Sequence, residues 1–383
     1  MSVTAAKGFT AAGVAAGLKD SGAPDVALVV NQGPSRAAAG VFTSNRVKAA
    51  PVLWSQQVLK SGEAAAVVLN SGGANACTGP EGFQDTHATA EKAAEALGCG
   101  AGEVAVASTG LIGVRLPMDK LLPGVEKAAA SLSAHGGEKA AIAIKTTDTV
   151  HKTAVVERDG WVVGGMAKGA GMLAPGLATM LVVLTTDADV DAPGLDDALR
   201  AAVRTTFDRV DSDGCMSTND TVLLLSSAAS GIVPDAAVFT DAVREVCDDL
   251  ARQLIGDAEG ASKDIRIEVI NAASEEDAVE VGRSIARNNL LKCALHGEDP
   301  NWGRVLSAIG TTSAAFDPDR LNVAINDVWV CRNGSVGDDR DLVDMRYREV
   351  RITADLAEGG ESAVIWANDL TADYVHENSA YSS

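Results

Sequence analysis

The chain has 383 residues, 46% of them hydrophobic, and a formal net charge of −20. That length and apolar content suffice for two lobes with separate cores, while an acidic balance without clustered Lys and Arg argues against nucleic acid as a partner. No window reaches the roughly 18 apolar residues of a membrane span, and the N-terminal MSVTAAKGFTAAG lacks the apolar stretch of a signal peptide, so no membrane partner and a cytoplasmic location are expected.

Strands and helices alternate along the chain. Residues 64–69 (AAAVVL) read as a buried strand, 86–97 as an alanine-rich helix, 103–107 as a second strand and 139–144 as a third. Residues 153–156 and 161–165 flank Asp159-Gly160, a dipeptide that favours a type I′ turn, so a hairpin is expected to lead into the loop that begins at Lys168. Residues 180–184 read as a strand, 196–208 as a helix and 222–226 as a strand. Val243, Val246, Leu250 and Leu254 recur at helical spacing, which predicts an amphipathic helix over 239–255 facing a sheet, with 265–270 as the next strand of that sheet. The class is α/β.

The stretch KGAGMLAPGLATML, residues 168–181, carries the chemistry. A glycine-rich loop ends in Ala178-Thr179 and runs directly into an apolar strand. A threonine hydroxyl there can attack the carbonyl before it, and a chain broken at that bond leaves Thr179 with both a nucleophilic hydroxyl and an α-amino base. The free α-amino group has an ordinary pKa of roughly 7.7–8.0, near the working range of a general base. From the residues alone, a β-branched residue that merely starts a strand reads equally well.

Together with KGFTAAGVAAGLK, LNSGGANACTG, STGLIG, KTTDT, DSDGCMSTNDT, EGASK, HGEDPNWGR and YVHENSAYSS, this stretch resembles the ornithine acetyltransferases, the glutamate N-acetyltransferases of arginine biosynthesis, over nearly the whole chain. The resemblance implies a four-layer α/β/β/α sandwich core with a smaller α/β lobe, autoprocessed into two chains. The expected divisions are 1–178 for the first chain, 179–270 for the rest of the core and 271–383 for the smaller lobe with its tail. It implies cleavage between Ala178 and Thr179, and ping-pong transfer of acetyl from N-acetylornithine through Thr179 to glutamate. Thr109 and Gly110 are the implied oxyanion donors. Thr146 and Thr147, Lys168, Thr179, Glu259, Asn378 and Ser383 are the implied substrate ligands. Acetyl-CoA is a further candidate donor, and an α₂β₂ heterotetramer the implied assembly.

Read by itself, Lys168 has glycine and alanine neighbours that expose it to a cleft. Cys77, Cys99, Cys215, Cys247, Cys293 and Cys331 form no C-x-x-C pair and read as reduced core residues, and neither metal nor cofactor is expected. The segment DSDG, 211–214, lacks the ligand spacing of a calcium loop and reads as a turn. The glycines of SGGAN, 71–75, lack the ending of a phosphate loop and read as a turn or a site wall. His296 reads as a hydrogen-bonded structural histidine. The competing functions are an N-terminal-nucleophile aminopeptidase or amidase, in which water accepts the acyl group, and a non-enzymatic small-molecule binder.

Overall fold

The computed structural model describes residues 2–173 and 180–380. They form a mixed α/β fold with three sheets and divide into two compact units, one of residues 2–173, 180–208 and 215–257, the other of residues 209–214 and 258–380.

The first unit contains, in chain order, β1 (Phe9–Val14), β2 (Val26–Asn31), β3 (Ala38–Phe42), α1 (Ala50–Val58), β4 (Ala66–Asn70), α2 (Gly79–Leu97), β5 (Val104–Ser108), α3 (Met118–Ala130), α4 (Gly137–Ala143), β6 (Lys152–Arg158), β7 (Trp161–Lys168), β8 (Leu181–Thr186), α5 (Ala192–Thr205), β9 (Thr221–Ser226) and α6 (Ala236–Gly256). One sheet has the order β1-β2-β4-β5 and the other β3-β9-β8-β7-β6. Phe9, Val29, Val67 and Leu69 of the first sheet share a core with Met166, Leu181, Val183 and Leu223 of the second. The opposite face of the first sheet (Leu28, Val68, Val106) is covered by Ala90 and Ala94 of α2 and Leu121 and Val125 of α3.

Every residue of β8 and β9 is buried, as their unbroken apolar runs demand of strands covered on both faces. The stripe of α6 lies where its spacing predicts. Val243, Val246, Leu250 and Leu254 are all buried, and a Cβ on Gly165 of β7 would meet Leu250 and Val246 at 3.0 and 3.1 Å.

Local readings fail where the residues are ambiguous. Residues 139–144 are not a strand: 139–143 belong to α4, whose Ala140, Ala141 and Ala143 are buried, and Ile144 is its C-cap. A short apolar run cannot distinguish a buried strand from a buried helix. The glycine of β1 decides for packing here, because a Cβ on Gly13 would lie 1.9 Å from the Lys139 carbonyl oxygen. Helix α2 starts seven residues before the alanine-rich run, with Pro80 in its first turn, where a missing N–H costs nothing. The β6–β7 hairpin closes on the pair Arg158↔Trp161, but of its two turn residues only Gly160 has a positive φ, +90°, so the turn is not type I′.

The second unit contains β10 (Asp264–Ala272), α7 (Glu275–Ala286), α8 (Asn289–His296), α9 (Trp302–Ile309), β11 (Asn322–Ile325), β12 (Val328–Arg332), β13 (Ser335–Val336), β14 (Glu349–Asp355), β15 (Glu361–Asn368) and α10 (Ala372–Ala380). Its six strands are ordered β13-β12-β11-β14-β10-β15. Strand β10 is therefore not the next strand of the sheet that α6 covers. It alternates buried and half-exposed residues, presenting Ile265, Ile267 and Val269 to a core shared with Val281 and Ile285 of α7. The cysteines correct another expectation. All six are free, yet only Cys247 and Cys331 are buried, and Cys77, Cys215 and Cys293 are exposed.

Candidate functional site

In the first unit, β4 and β5 run parallel and in register, Asn70 beside Ser108, so the loops that leave them emerge side by side. Backbone bonds weld the loops together. Gly73 N–H donates to the Thr109 carbonyl at 3.0 Å and Ala74 N–H to the Leu111 carbonyl at 3.1 Å. The Asn219 amide nitrogen adds a clamp, donating to the carbonyls of Ala74 (2.6 Å) and Ser108 (2.8 Å). SGGAN is thus the wall against which the 109–110 turn is built. Gly110 has φ +130°, and a Cβ there would stand 2.8 Å from the Gly73 backbone nitrogen. Only glycine fits that position.

Lys168 ends β7. It is not exposed to a cleft: 1% of its surface is accessible, and its Nζ donates to Thr109 Oγ1 at 3.3 Å. A hydroxyl that accepts from an ammonium is polarised as a donor to a third group, which suits it to a developing oxyanion. Asp148 lies close by. Its Oδ1 accepts from Lys152 Nζ (2.7 Å) and from the Gly169 N–H (2.7 Å), and its Oδ2 from the Thr146 N–H (3.0 Å). Burial favours the neutral acid at Asp148, but Lys168, Lys152 and these hydrogen bonds outweigh it and hold the carboxyl well below its ordinary range. Lys152, with no accessible surface, also bonds Asp257 at 2.6 Å. Thr146 and Thr147 are both half-buried beside this network.

Ala178 and Thr179 lie outside the described residues, but the chain on their C-terminal side is placed. Leu181 pairs with Lys168 across the β7–β8 ladder, and Met180 N–H donates to Asp220 Oδ1 at 3.1 Å. Asp220 is fully buried, which raises its pKa well above the carboxylate range against the opposing pull of the Met180 N–H, Ser217, Lys168 and Thr43. Sequence reasoning passed over Asp148, Asn219 and Asp220. All three stand inside the quoted motifs KTTDT and DSDGCMSTNDT, and that was the available signal.

In the second unit Glu259 and Asn378 come together, the asparagine Nδ2 donating to Glu259 Oε2 at 3.0 Å. Glu259 lines a pocket of about 200 Å³ with Ser212, Asp213, Asn289, Lys292 and Asp369. The DSDG turn therefore contributes a pocket wall. Burial lowers the pKa of Lys292, against the pull of Asp213, Asp211 and Asp369, and its ammonium donates to the Ser212 carbonyl. His296 Nδ1 contacts Asp369 Oδ2 at 3.0 Å and Ser262 Oγ at 3.2 Å, so the ring is hydrogen-bonded. Ser383 lies outside the described residues. Among the described residues no group of His, Cys, Asp and Glu is placed to hold a metal ion, and no helix is long and apolar enough to cross a membrane.

The sequence profile of the ArgJ family matches residues 10–383. An arginine biosynthesis bifunctional protein from Streptomyces coelicolor is 81% identical over 383 residues, covering all of both chains. One from Mycobacterium leprae is 60% identical, covering all of this chain and 96% of the relative. Among solved structures, an ornithine acetyltransferase from Mycobacterium tuberculosis, complexed with ornithine, is 62% identical over 47% of this chain and 96% of that one, with a TM-score of 0.45.

Proposed function

The chain belongs to the ArgJ family, and from that premise we propose that Thr179 is both the site of self-cleavage and the nucleophile of the enzyme. The protein is an acyltransferase of arginine biosynthesis. The observation that carries the assignment of the centre is the register pairing of Lys168 with Leu181, two residues past Thr179, while the same lysine bonds the Thr109 hydroxyl. That pairing brings the first residue of β8 beside the strand whose end bonds a polarised hydroxyl, which supports reading Thr179 as the nucleophile.

In the proposed reaction Thr179 Oγ attacks the Ala178 carbonyl and the C–N bond breaks as the acyl group shifts to Oγ, which frees the α-amino group. Water then hydrolyses the ester, releasing Ala178 as a C-terminal carboxylate and restoring the Thr179 hydroxyl. That amine then takes the hydroxyl proton as Oγ attacks the acetyl carbon of N-acetylornithine. The tetrahedral oxyanion is met by the Thr109 hydroxyl and the Gly110 N–H, and its collapse passes the proton to the departing ornithine amine. Glutamate attacks the acetyl-threonine in turn and leaves as N-acetylglutamate. Lys168 and either Thr146 or Thr147, with Glu259, Asn378 and Ser383, hold the substrates' charged ends. Acetyl-CoA serves as a second donor, in keeping with relatives named bifunctional. The cleaved chains assemble as α₂β₂. Helices on one sheet's outer face and α6 on the other's support reading the first unit as the α/β/β/α sandwich.

Intact mass of the purified protein under denaturing conditions tests the core of this reading. Two species, residues 1–178 and 179–383, are expected, and a single full-length species that remains folded and active would overturn it. Thr179→Ala leaves one full-length, folded and inactive chain.

A further inference from the structure

The network behind Lys168 does more than bury a salt bridge. Lys152 already has a carboxylate in Asp257, which also accepts the N–H groups of Thr149 (3.1 Å) and Val150 (3.4 Å) and the Thr149 hydroxyl. Asp148 is a second carboxylate in the same interior, and its bonds reach three separate parts of the site. They touch the first residue of β6 through Lys152, the exit of β7 through the Gly169 N–H, and the threonine pair through the Thr146 N–H.

The charges around Lys168 come from several elements. Asp148 and Asp220 face it as carboxyls, and Lys19 faces it as another cation. Lys19 is held by the carbonyls of Pro24 and Lys145 and lies beside Asp25 and the Lys145 ammonium, and Lys152 lies between Asp148 and Asp257. Burial drives Asp220 toward its neutral form, whereas Asp148 is ionised and acts on Lys168 as a counter-charge, and its bond to the Gly169 N–H holds the residue that follows that lysine. An ammonium with almost no accessible surface needs such a partner to stay protonated.

We infer that Asp148 is the positioning residue of the acetyl-transfer site, keeping Lys168 charged against Thr109 and fixing, through the Gly169 and Thr146 N–H groups, where that lysine and the threonine pair stand. This rests on the reading of Lys168 as a substrate ligand. Asp148 touches no reacting atom in this role. It acts through Lys168, and its loss is therefore visible in how activity depends on pH.

The test compares wild type, Asp148→Asn, Asp148→Glu and Lys168→Met by kcat and KM for N-acetylornithine over pH 6–10. Asparagine keeps the shape but not the charge, so Lys168 loses its proton more easily. The alkaline limb of kcat/KM should move to lower pH, giving about a tenfold loss above the limb for each pH unit it moves, mainly through KM. Glutamate keeps the charge on a longer arm, so the limb should stay in place while kcat falls. A limb that Lys168→Met abolishes and Asp148→Asn leaves unmoved overturns the role of Asp148. A limb that survives Lys168→Met overturns it as well, because the titrating group is then not Lys168. Unchanged KM in Lys168→Met overturns instead the reading of that lysine as a ligand. If Asp148→Asn does not fold, Asp148→Glu decides alone: a limb at its wild-type position with reduced kcat supports the inference, and a displaced limb overturns it.

Discussion

Lys168 donates a hydrogen bond from the end of β7 to the hydroxyl of Thr109 at the end of β5, 59 residues away in sequence and 3.3 Å away in space. The bond ties the two sheets of the first unit together beside the pairing of Lys168 with Leu181. A buried ammonium in contact with a hydroxyl, and compensated by the ionised Asp148, puts a fixed hydrogen-bond donor inside a protein of net charge −20. Such a donor can hold an anionic substrate group or a developing oxyanion without any general basicity of the surface.

Gly110→Ala should lose activity before it loses its fold. Its φ of +130° disfavours any side chain, and the new Cβ would press on the Gly73 backbone at 2.8 Å. The strain should lower stability by about 1–3 kcal/mol, and displacement of one oxyanion donor should cut kcat by roughly 10²–10³ with KM little changed. Steady-state kinetics beside a thermal melt checks the split. Equal losses in kcat and substrate affinity would remove Gly110 from the oxyanion role.

Asn219→Ala should loosen the same corner from outside. Its side chain satisfies the carbonyls of Ala74 and Ser108, both buried, and alanine leaves them without that donor. A loss of about 1–3 kcal/mol for the group is expected in denaturant unfolding, with an unchanged slope. Turnover should fall as well, since the 109–110 turn is then held by fewer bonds.

Glu259→Ala should raise KM for the amino-acid substrates by about 10–100-fold, the loss of one charge-assisted contact. Kinetics with N-acetylornithine and with glutamate as the varied substrate reads this directly. Asn378→Ala should give a smaller rise in the same direction, because Asn378 donates to Glu259 and orients it. Wild-type constants in Glu259→Ala would take the second-unit pocket out of the reaction.

Asp211 gives the second unit a signed pH dependence. Burial raises its carboxyl from the ordinary 3.8 to about 6, against the opposing pull of Arg287, Arg283 and Lys292. With a folded-state pKa above the unfolded one, its contribution is complete below pH 3.8 and is lost as pH rises through about 6. At about 1.4 kcal/mol per tenfold change in proton affinity, that decline is roughly 3 kcal/mol across the window. Thermal melts of wild type and Asp211→Asn from pH 4 to 7 should converge in acid and separate as pH rises, with only the wild type losing stability. Parallel curves would mean that Asp211 titrates alike folded and unfolded.

Elements with strong local periodicity were legible in the residues. The stripe of Val243, Val246, Leu250 and Leu254 makes α6 whatever lies opposite, and the apolar run after Thr179 makes β8, because backbone geometry sets both periods. The quoted motifs also carried the family and with it Thr109, Gly110, Lys168 and Glu259 as candidates. Where the local pattern was degenerate, as in residues 139–144, the tertiary structure has helix, with the Lys139 carbonyl packed against Gly13 of β1. The electrostatics of the site was decided by tertiary structure alone. Whether a lysine is a solvated charge or a buried ammonium depends on which groups the fold brings around it, and Asp148, Asp220 and Thr109 reach Lys168 from 20, 52 and 59 residues away. The same fold ionises Asp148 and drives Asp220 toward neutrality. The two differ in which cause prevails: at Asp220 burial outweighs the Met180 N–H, the Ser217 and Thr43 hydroxyls and Lys168, while at Asp148 burial is outweighed by two lysines and the hydrogen bonds.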